Sequence, residues 1–172
     1  MTRPAISFEF FPPQSLQASF RLWDTVNALK GYDPSFASVT YGAGGTTRKL
    51  THDAVEAIHN NYGLNVAAHL TCVDASREET LEIIDTYKKI GVSEIVALRG
   101  DPPKGSAHFQ PTEDGFQNSC ELIEAIKTRG DFTVRVGAYP EKHPQSHSFE
   151  QDIDYFVEKV NAGADGAITQ YF

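Results

Sequence analysis

Six short apolar runs, helix-length amphipathic stretches between them and a glycine after each helix predict an α/β fold. The expected fold is a (β/α)8 TIM barrel truncated after its sixth strand. Segments such as IVAL and VAAHL are continuously apolar, not alternating, as strands covered on both faces of a parallel sheet must be. Gly31, Gly63, Gly91, Gly130 and Gly163 recur 28 to 39 residues apart, close to one βα unit of roughly 30 residues. Each is predicted just past a helix end, where left-handed geometry favours glycine.

The elements follow in order. The first run, 6–11, places Glu9 among aromatics and ends at two prolines. A helical stretch leads to Gly31. The second run, 36–41, carries Thr40 and Tyr41 and opens into GAGG before a helix that closes at Gly63. The third, 66–71, carries His69. Ser76 with Glu79 then matches a capping box, and Ile83, Tyr87 and Ile90 form a face expected to pack on the sheet. The fourth run, 94–99, delivers Gly100 and Asp101 and the longest irregular stretch, DPPKGSAHFQPT, of a length that often shapes a binding site. After Gly130 the fifth run, 133–139, ends in YPEKHP. Ser148 with Gln151 repeats the capping box in its Gln form. Ile153, Phe156, Val157 and Val160 follow at helical spacing as one apolar stripe, also expected on the sheet. The sixth run, 166–172, carries Gln170.

With 172 residues and no linker or composition break, a single domain over 1–172 is expected. The net charge of −8 and scattered cations argue against a nucleic-acid or anionic membrane partner. No apolar run reaches the roughly 18 residues of a spanning helix. MTRPAISFEF has no signal-peptide core, so a cytoplasmic location is expected. Cys72 and Cys120 lack metal-type spacing and read as free buried thiols. His143 and His147 straddle a proline loop, so no metal site is predicted.

An open doubly wound sheet is the competing architecture. It requires a glycine fingerprint after an early strand. YGAGGT follows a strand and precedes a helix, but lacks the third glycine. It remains a loop able to offer backbone N–H groups to an anion.

In a parallel α/β fold the ends of the runs converge on one rim. Glu9 in an apolar strand is expected to have a raised pKa suited to a general acid, or else to pair with an inward cation. His69 reads as a core histidine or a catalyst. Asp101, after a glycine that lets backbone approach a ligand, reads as a mouth carboxylate or a turn cap. Tyr139 and His143 read as partners for a flat ligand or as parts of a rigid proline turn. Gln170 offers a paired donor and acceptor for an amide or pteridine-like edge.

The segments SFEFFPP (7–13), FASVTYGAGGTTR (36–48), AAHLTC (67–72), IVALRGDPP (95–103), AYPEKHP (138–144) and AGADGAITQYF (162–172) carry a resemblance, in order, to the catalytic domain of the methylenetetrahydrofolate reductases. That resemblance implies an FAD-bearing barrel. Hydride passes from NADH or NADPH to FAD and then to 5,10-methylenetetrahydrofolate, in turn through one mouth, with a role in methionine biosynthesis. It implies Glu9 as the general acid that opens the folate's five-membered ring. Asp101 becomes the acid beside flavin and folate. Thr40, Tyr41, Ala43, His69, Leu98, Arg99, Gly100, Asp101, Tyr139, His143, Asp152 and Lys159 become FAD contacts. Gln170, with Asp101 and Thr40, contacts substrate. The chain departs from the pattern at Asn118 or Ser119, where an aromatic is common. It departs again at Tyr155 and Glu158, where some members place Asn and Arg toward the FAD phosphates.

Six strands leave two edges open, so weak or absent reductase activity is expected of this chain alone. A homo-oligomer or a partner chain supplying further strands would cover those edges. Two other readings compete with the reductase. One is a non-catalytic half-barrel that binds flavin. The other is an unrelated barrel lyase using Glu9 and Asp101.

Overall fold

Strands made of continuous apolar residues need cover on both faces, and alternating helices supply it. A computed structural model describes residues 4–41, 45–101 and 109–171. Its elements are β1 (Ser7–Phe10), α1 (Leu16–Lys30), β2 (Phe36–Val39), α2 (Gly45–Tyr62), β3 (Val66–Thr71) and α3 (Arg77–Ile90), then β4 (Glu94–Leu98), α4 (Ser119–Arg129), β5 (Thr133–Ala138), α5 (Phe149–Asn161) and β6 (Gly166–Thr169). All pairings are parallel and the strand order is β1-β2-β3-β4-β5-β6. Every helix therefore returns the chain to the adjacent strand. A doubly wound sheet reverses its strand order; this sheet does not, and it has the succession of a (β/α)8 barrel. No described helix is long and apolar enough to cross a membrane.

The register sorts each strand into two faces. Phe10, Val39, Leu70, Ile95 and Val136 lie in one buried cluster with helix residues Val26, Val55, Ile58, Ile84, Leu122 and Ile126. The opposite face points into the barrel, where residues from several strands stack in layers. The lowest layer holds Glu94, which accepts a hydrogen bond from Arg135 Nε at 2.6 Å. The Arg135 guanidinium lies 4.2 Å from the Phe36 ring centre. Above it, Glu9 pairs in register with Ser38, and His69 with Val96. The mouth opens above that layer.

The caps follow the sequence closely. Ser76 and Glu79 make the full capping box of α3, and Gly91 ends that helix at φ 86°. Ser148 accepts from Gln151 N at 3.2 Å, but Gln151 Oε1 accepts from His147 N and not from Ser148, so the second half of the box is displaced by one residue. Two glycines differ from expectation. Gly31 is right-handed, because the left-handed position falls on Asp33 at φ 55°. Gly130 is extended; the chain turns there straight toward β5 beside Lys88 and Phe132. The α3 face turns further than expected: Thr80, Ile84 and Tyr87 are buried, whereas Ile83 and Ile90 are only partly so.

The stripe of α5 is a larger correction. Ile153, Val157 and Val160 are 59%, 48% and 47% exposed; Phe156 and Lys159 face inward instead. The physical reason is position: β6 is the last strand in the order, and no described element lies beyond it to cover this side of α5.

One buried hydroxyl is out of balance. Tyr87 is fully buried against His52, with ring centres 4.9 Å apart, and its hydroxyl has no partner among the described residues. Leaving a buried hydroxyl unpaired costs about 1–3 kcal/mol. Tyr87→Phe is therefore expected to stabilise the protein by about 1 kcal/mol, read as a higher midpoint in thermal unfolding. A lower midpoint would mean that the hydroxyl has a partner such as a buried water.

Candidate active site

A cavity of about 990 Å3 opens at the C-terminal ends of the strands, at the upper end of the roughly 300–1,000 Å3 of small-molecule sites. β2 leads into Thr40 and Tyr41; β3 supplies His69 and Thr71. β4 and the residues after it supply Leu98, Arg99, Gly100 and Asp101. The β5 end supplies Gly137, Tyr139 and His143, α5 supplies Asp152 and Lys159, and Gln170 follows β6. The sequence-predicted residues thus share one cavity, with two exceptions. Ala43 lies outside the described residues. Glu9 reaches the cavity through His69, whose Nε2 is 3.3 Å from Glu9 Oε2.

Glu9 corrects the expectation of a raised pKa. Its carboxyl is held below the usual carboxylate range, first by the His69 hydrogen bond, against the opposing effect of burial. Ser38 adds a 3.3 Å hydroxyl donation. The side chain is 48% exposed while that of His69 is 9% exposed, so desolvation is incomplete and the partners prevail. Sequence reasoning missed Ser38. Its signal was available: it lies two residues before Thr40, on the same face of β2.

The loop after β5 is built on Asp152. The Asp152 carboxylate accepts from His143 N at 3.2 Å and Ser146 Oγ at 2.9 Å. His143 then stands edge-on to Tyr139, with ring centres 4.5 Å apart. Burial lowers the His143 pKa and raises that of Tyr139. Lys159 is buried and donates to the Gly137 carbonyl at 2.7 Å, and its pKa is lowered by burial. Asp152 therefore positions the loop, and Lys159 ties α5 to β5. Tyr41 is pushed up to about 12 by burial. Cys72 is also pushed up to about 12, an unreactive thiol at neutral pH.

At the departure between Asn118 and Ser119, both residues have other duties. Asn118 caps α4 by accepting from Glu121 N at 3.0 Å. Ser119 Oγ lies 2.9 Å from Tyr155 Oη, joining α4 to α5. Tyr155, Asp154, Glu158 and Gln151 also line the cavity.

Gly137 leaves room on the cavity floor: a Cβ there would sit 3.7 Å from Leu98 Cδ2 and 3.9 Å from Tyr139 Cε2. Thr40, His69, Thr71, Arg99 and Asp101 offer polar atoms around the cavity.

A match to the family described as "Methylenetetrahydrofolate reductase" runs over residues 1–172. The 5,10-methylenetetrahydrofolate reductase of Pectobacterium carotovorum is 42% identical over 169 residues, covering 97% of this chain and 54% of that protein. That of Escherichia coli is 41% identical over 167 residues, covering 97% and 54%. The "Methylenetetrahydrofolate reductase (NADH) 1" of Arabidopsis thaliana is 36% identical, covering 98% and 30%. The chain spans about half the length of the bacterial relatives it matches. Among solved structures, a 2,3-dimethylmalate lyase matches with TM-score 0.65 at 12% identity, covering 96% and 56% of the two chains. A phosphoenolpyruvate phosphomutase from Streptomyces platensis matches with TM-score 0.64 at 12% identity, covering 98% and 60%. At that identity the likeness concerns the fold alone.

Proposed function

From the premise that the chain belongs to the methylenetetrahydrofolate reductase family, we propose that it forms the mouth in which 5,10-methylenetetrahydrofolate is reduced to 5-methyltetrahydrofolate. FAD would be the cofactor and NADH or NADPH the co-substrate. The observation that carries this reading is the convergence of the Glu9–His69 pair, Arg99, Asp101, Tyr139 and Gln170 on one cavity. When bound, the flavin would supply hydride transfer, taking hydride from the nicotinamide and passing it to the folate in a ping-pong sequence.

The chain's own residues supply position and protons. Glu9, held by His69 and Ser38, is the group that exchanges a proton with the folate nitrogen as its five-membered ring opens. A substrate covering Glu9 removes water from it and moves its pKa back up, which suits proton donation at neutral pH. Asp101 places a negative charge at the mouth, favouring the cationic, ring-opened folate. Gln170 presents a donor and an acceptor to whichever substrate occupies the mouth. Thr40, Arg99 and His69 would hold the flavin's polar edge, with Leu98, Gly100 and Tyr139 against its faces. A cytoplasmic protein of one-carbon metabolism is the matching setting.

A second reading, a flavin-binding half-barrel without turnover, is favoured by the exposed α5 stripe beside the last strand. A second copy or a partner chain would then cover β1 and β6. The absorbance spectrum of the purified chain with added FAD separates the readings. The reductase reading expects bleaching by NADH and recovery of colour on adding methylenetetrahydrofolate. With Glu9→Gln, bleaching is expected to persist while recovery slows by about 10²–10⁴-fold, the usual loss of a general acid. Yellow protein that never bleaches supports the half-barrel, and protein that takes up no flavin overturns both.

A further inference from the structure

The wall that α5 gives the mouth is acidic, and the cation it adds there, Lys159, is already engaged. Asp152, Asp154, Tyr155, Glu158 and Lys159 all face the cavity. Lys159 donates to the Gly137 carbonyl at 2.7 Å and lies near the Tyr155 and Phe156 rings. Across the mouth, Arg99 rests over Phe109, 5.0 Å from the ring centre, with Nε toward the Gly100 carbonyl. Asp154 and Glu158, one helical turn apart, make no ion pair among the described residues. They lie on one face of α5.

A diphosphate is held by cations or by free backbone N–H groups at a helix start. At the start of α5 the Gln151 N–H is already taken, as are two N–H groups of the loop before it. Ser148 Oγ accepts from Gln151 N, Gln151 Oε1 accepts from His147 N, and Asp152 accepts from His143 N. Glu158 also lies in the C-terminal half of α5, where the helix dipole adds further negative potential. The Tyr155 hydroxyl is held by Ser119 at 2.9 Å.

We infer that Glu158, with Asp154, sets cofactor specificity by repelling the diphosphate, so that flavin is held through its ring and FAD gains little over riboflavin. This rests on the flavin reading above. Fluorescence titration of the whole chain with riboflavin and with FAD tests it. Measurements at about 0.01 M and about 1 M salt shorten the screening length from about 30 Å to about 3 Å. FAD binding is expected to tighten about threefold or more with salt, because a repulsion is being screened; riboflavin binding is expected to change less than about twofold, since it carries no phosphate to screen. Glu158→Arg is expected to tighten FAD about tenfold, equivalent to about 1.4 kcal/mol, without altering riboflavin. Glu158→Gln is expected to give an intermediate change. FAD binding that weakens with salt, or an FAD-to-riboflavin ratio that Glu158→Arg leaves unchanged, overturns the inference while the flavin site stands. Failure to bind either flavin overturns both.

Discussion

Arg135→Ala is expected to cost about 3 kcal/mol of stability, the lower end of the result of breaking a buried ion pair from one side, because Glu94 is buried while the Arg135 side chain is 25% exposed. Glu94 is 8% exposed and sits at the lower end of the barrel interior. It accepts from Arg135 Nε at 2.6 Å and also from the Asn65 side-chain amide. Removing the guanidinium leaves the carboxylate, among the described residues, with the neutral Asn65 amide. It also uncovers Phe36, over which the cation lies. The measurement is urea denaturation followed by circular dichroism, comparing midpoint and slope. Replacing both partners with apolar residues, Glu94→Leu with Arg135→Met, is expected to recover most of the loss, because neither charge then has to be kept out of water. A single-variant loss below about 1 kcal/mol would place the pair in the class of solvent-screened surface bridges. The pair lies at the opposite end of the strands from the mouth, so ligand affinity of the folded fraction should be unchanged.

This pair also shows what the sequence made legible and what it hid. Strand positions were readable because continuous apolar runs have few alternatives in a two-face-covered sheet. Helix starts at Ser76 and Ser148 were readable because the capping residue and its partner sit three apart. Glu94 and Arg135 are 41 residues apart, and only the register of β4 on β5 brings them together. The same holds for the site. Twelve of the predicted residues line the cavity, because a parallel α/β fold delivers every strand end to one rim. Their partners were hidden. His69 lowers the Glu9 pKa, and that contact depends on β1, β2 and β3 standing side by side. The exposure of Ile153, Val157 and Val160 was hidden for a related reason: helical spacing identifies an apolar face but not which neighbour stands opposite. Glycine spacing marked the repeat correctly, yet Gly31 and Gly130 do not adopt the left-handed form, since a turn can place that geometry on a neighbouring Asp.

Gly100 is where backbone geometry and site meet most tightly, and Gly100→Ala is expected to harm both. Its φ is 90°, outside the range that residues with a Cβ adopt readily. A Cβ there would lie 2.4 Å from Val73 Cγ2 and 3.1 Å from Thr71 Cβ. Left-handed strain costs roughly 1–2 kcal/mol, and overpacking typically a further 1–3 kcal/mol. A loss of about 2–5 kcal/mol is therefore expected from the two effects together. Relief of the clash must move the backbone between Arg99 and Asp101, both of which line the mouth. Flavin affinity should consequently fall even under conditions where the variant is fully folded. Adding Val73→Ala removes the 2.4 Å contact but leaves φ unchanged. If sterics and backbone strain act separately, the double variant should regain the overpacking share and retain the left-handed share. A cycle built from wild type, both single variants and the double variant, read by urea denaturation and flavin titration, measures the two shares. Stability within about 0.5 kcal/mol of wild type for Gly100→Ala, the range of an ordinary surface change, would mean that this turn can relax without strain. Gly100 would then serve the mouth through openness alone.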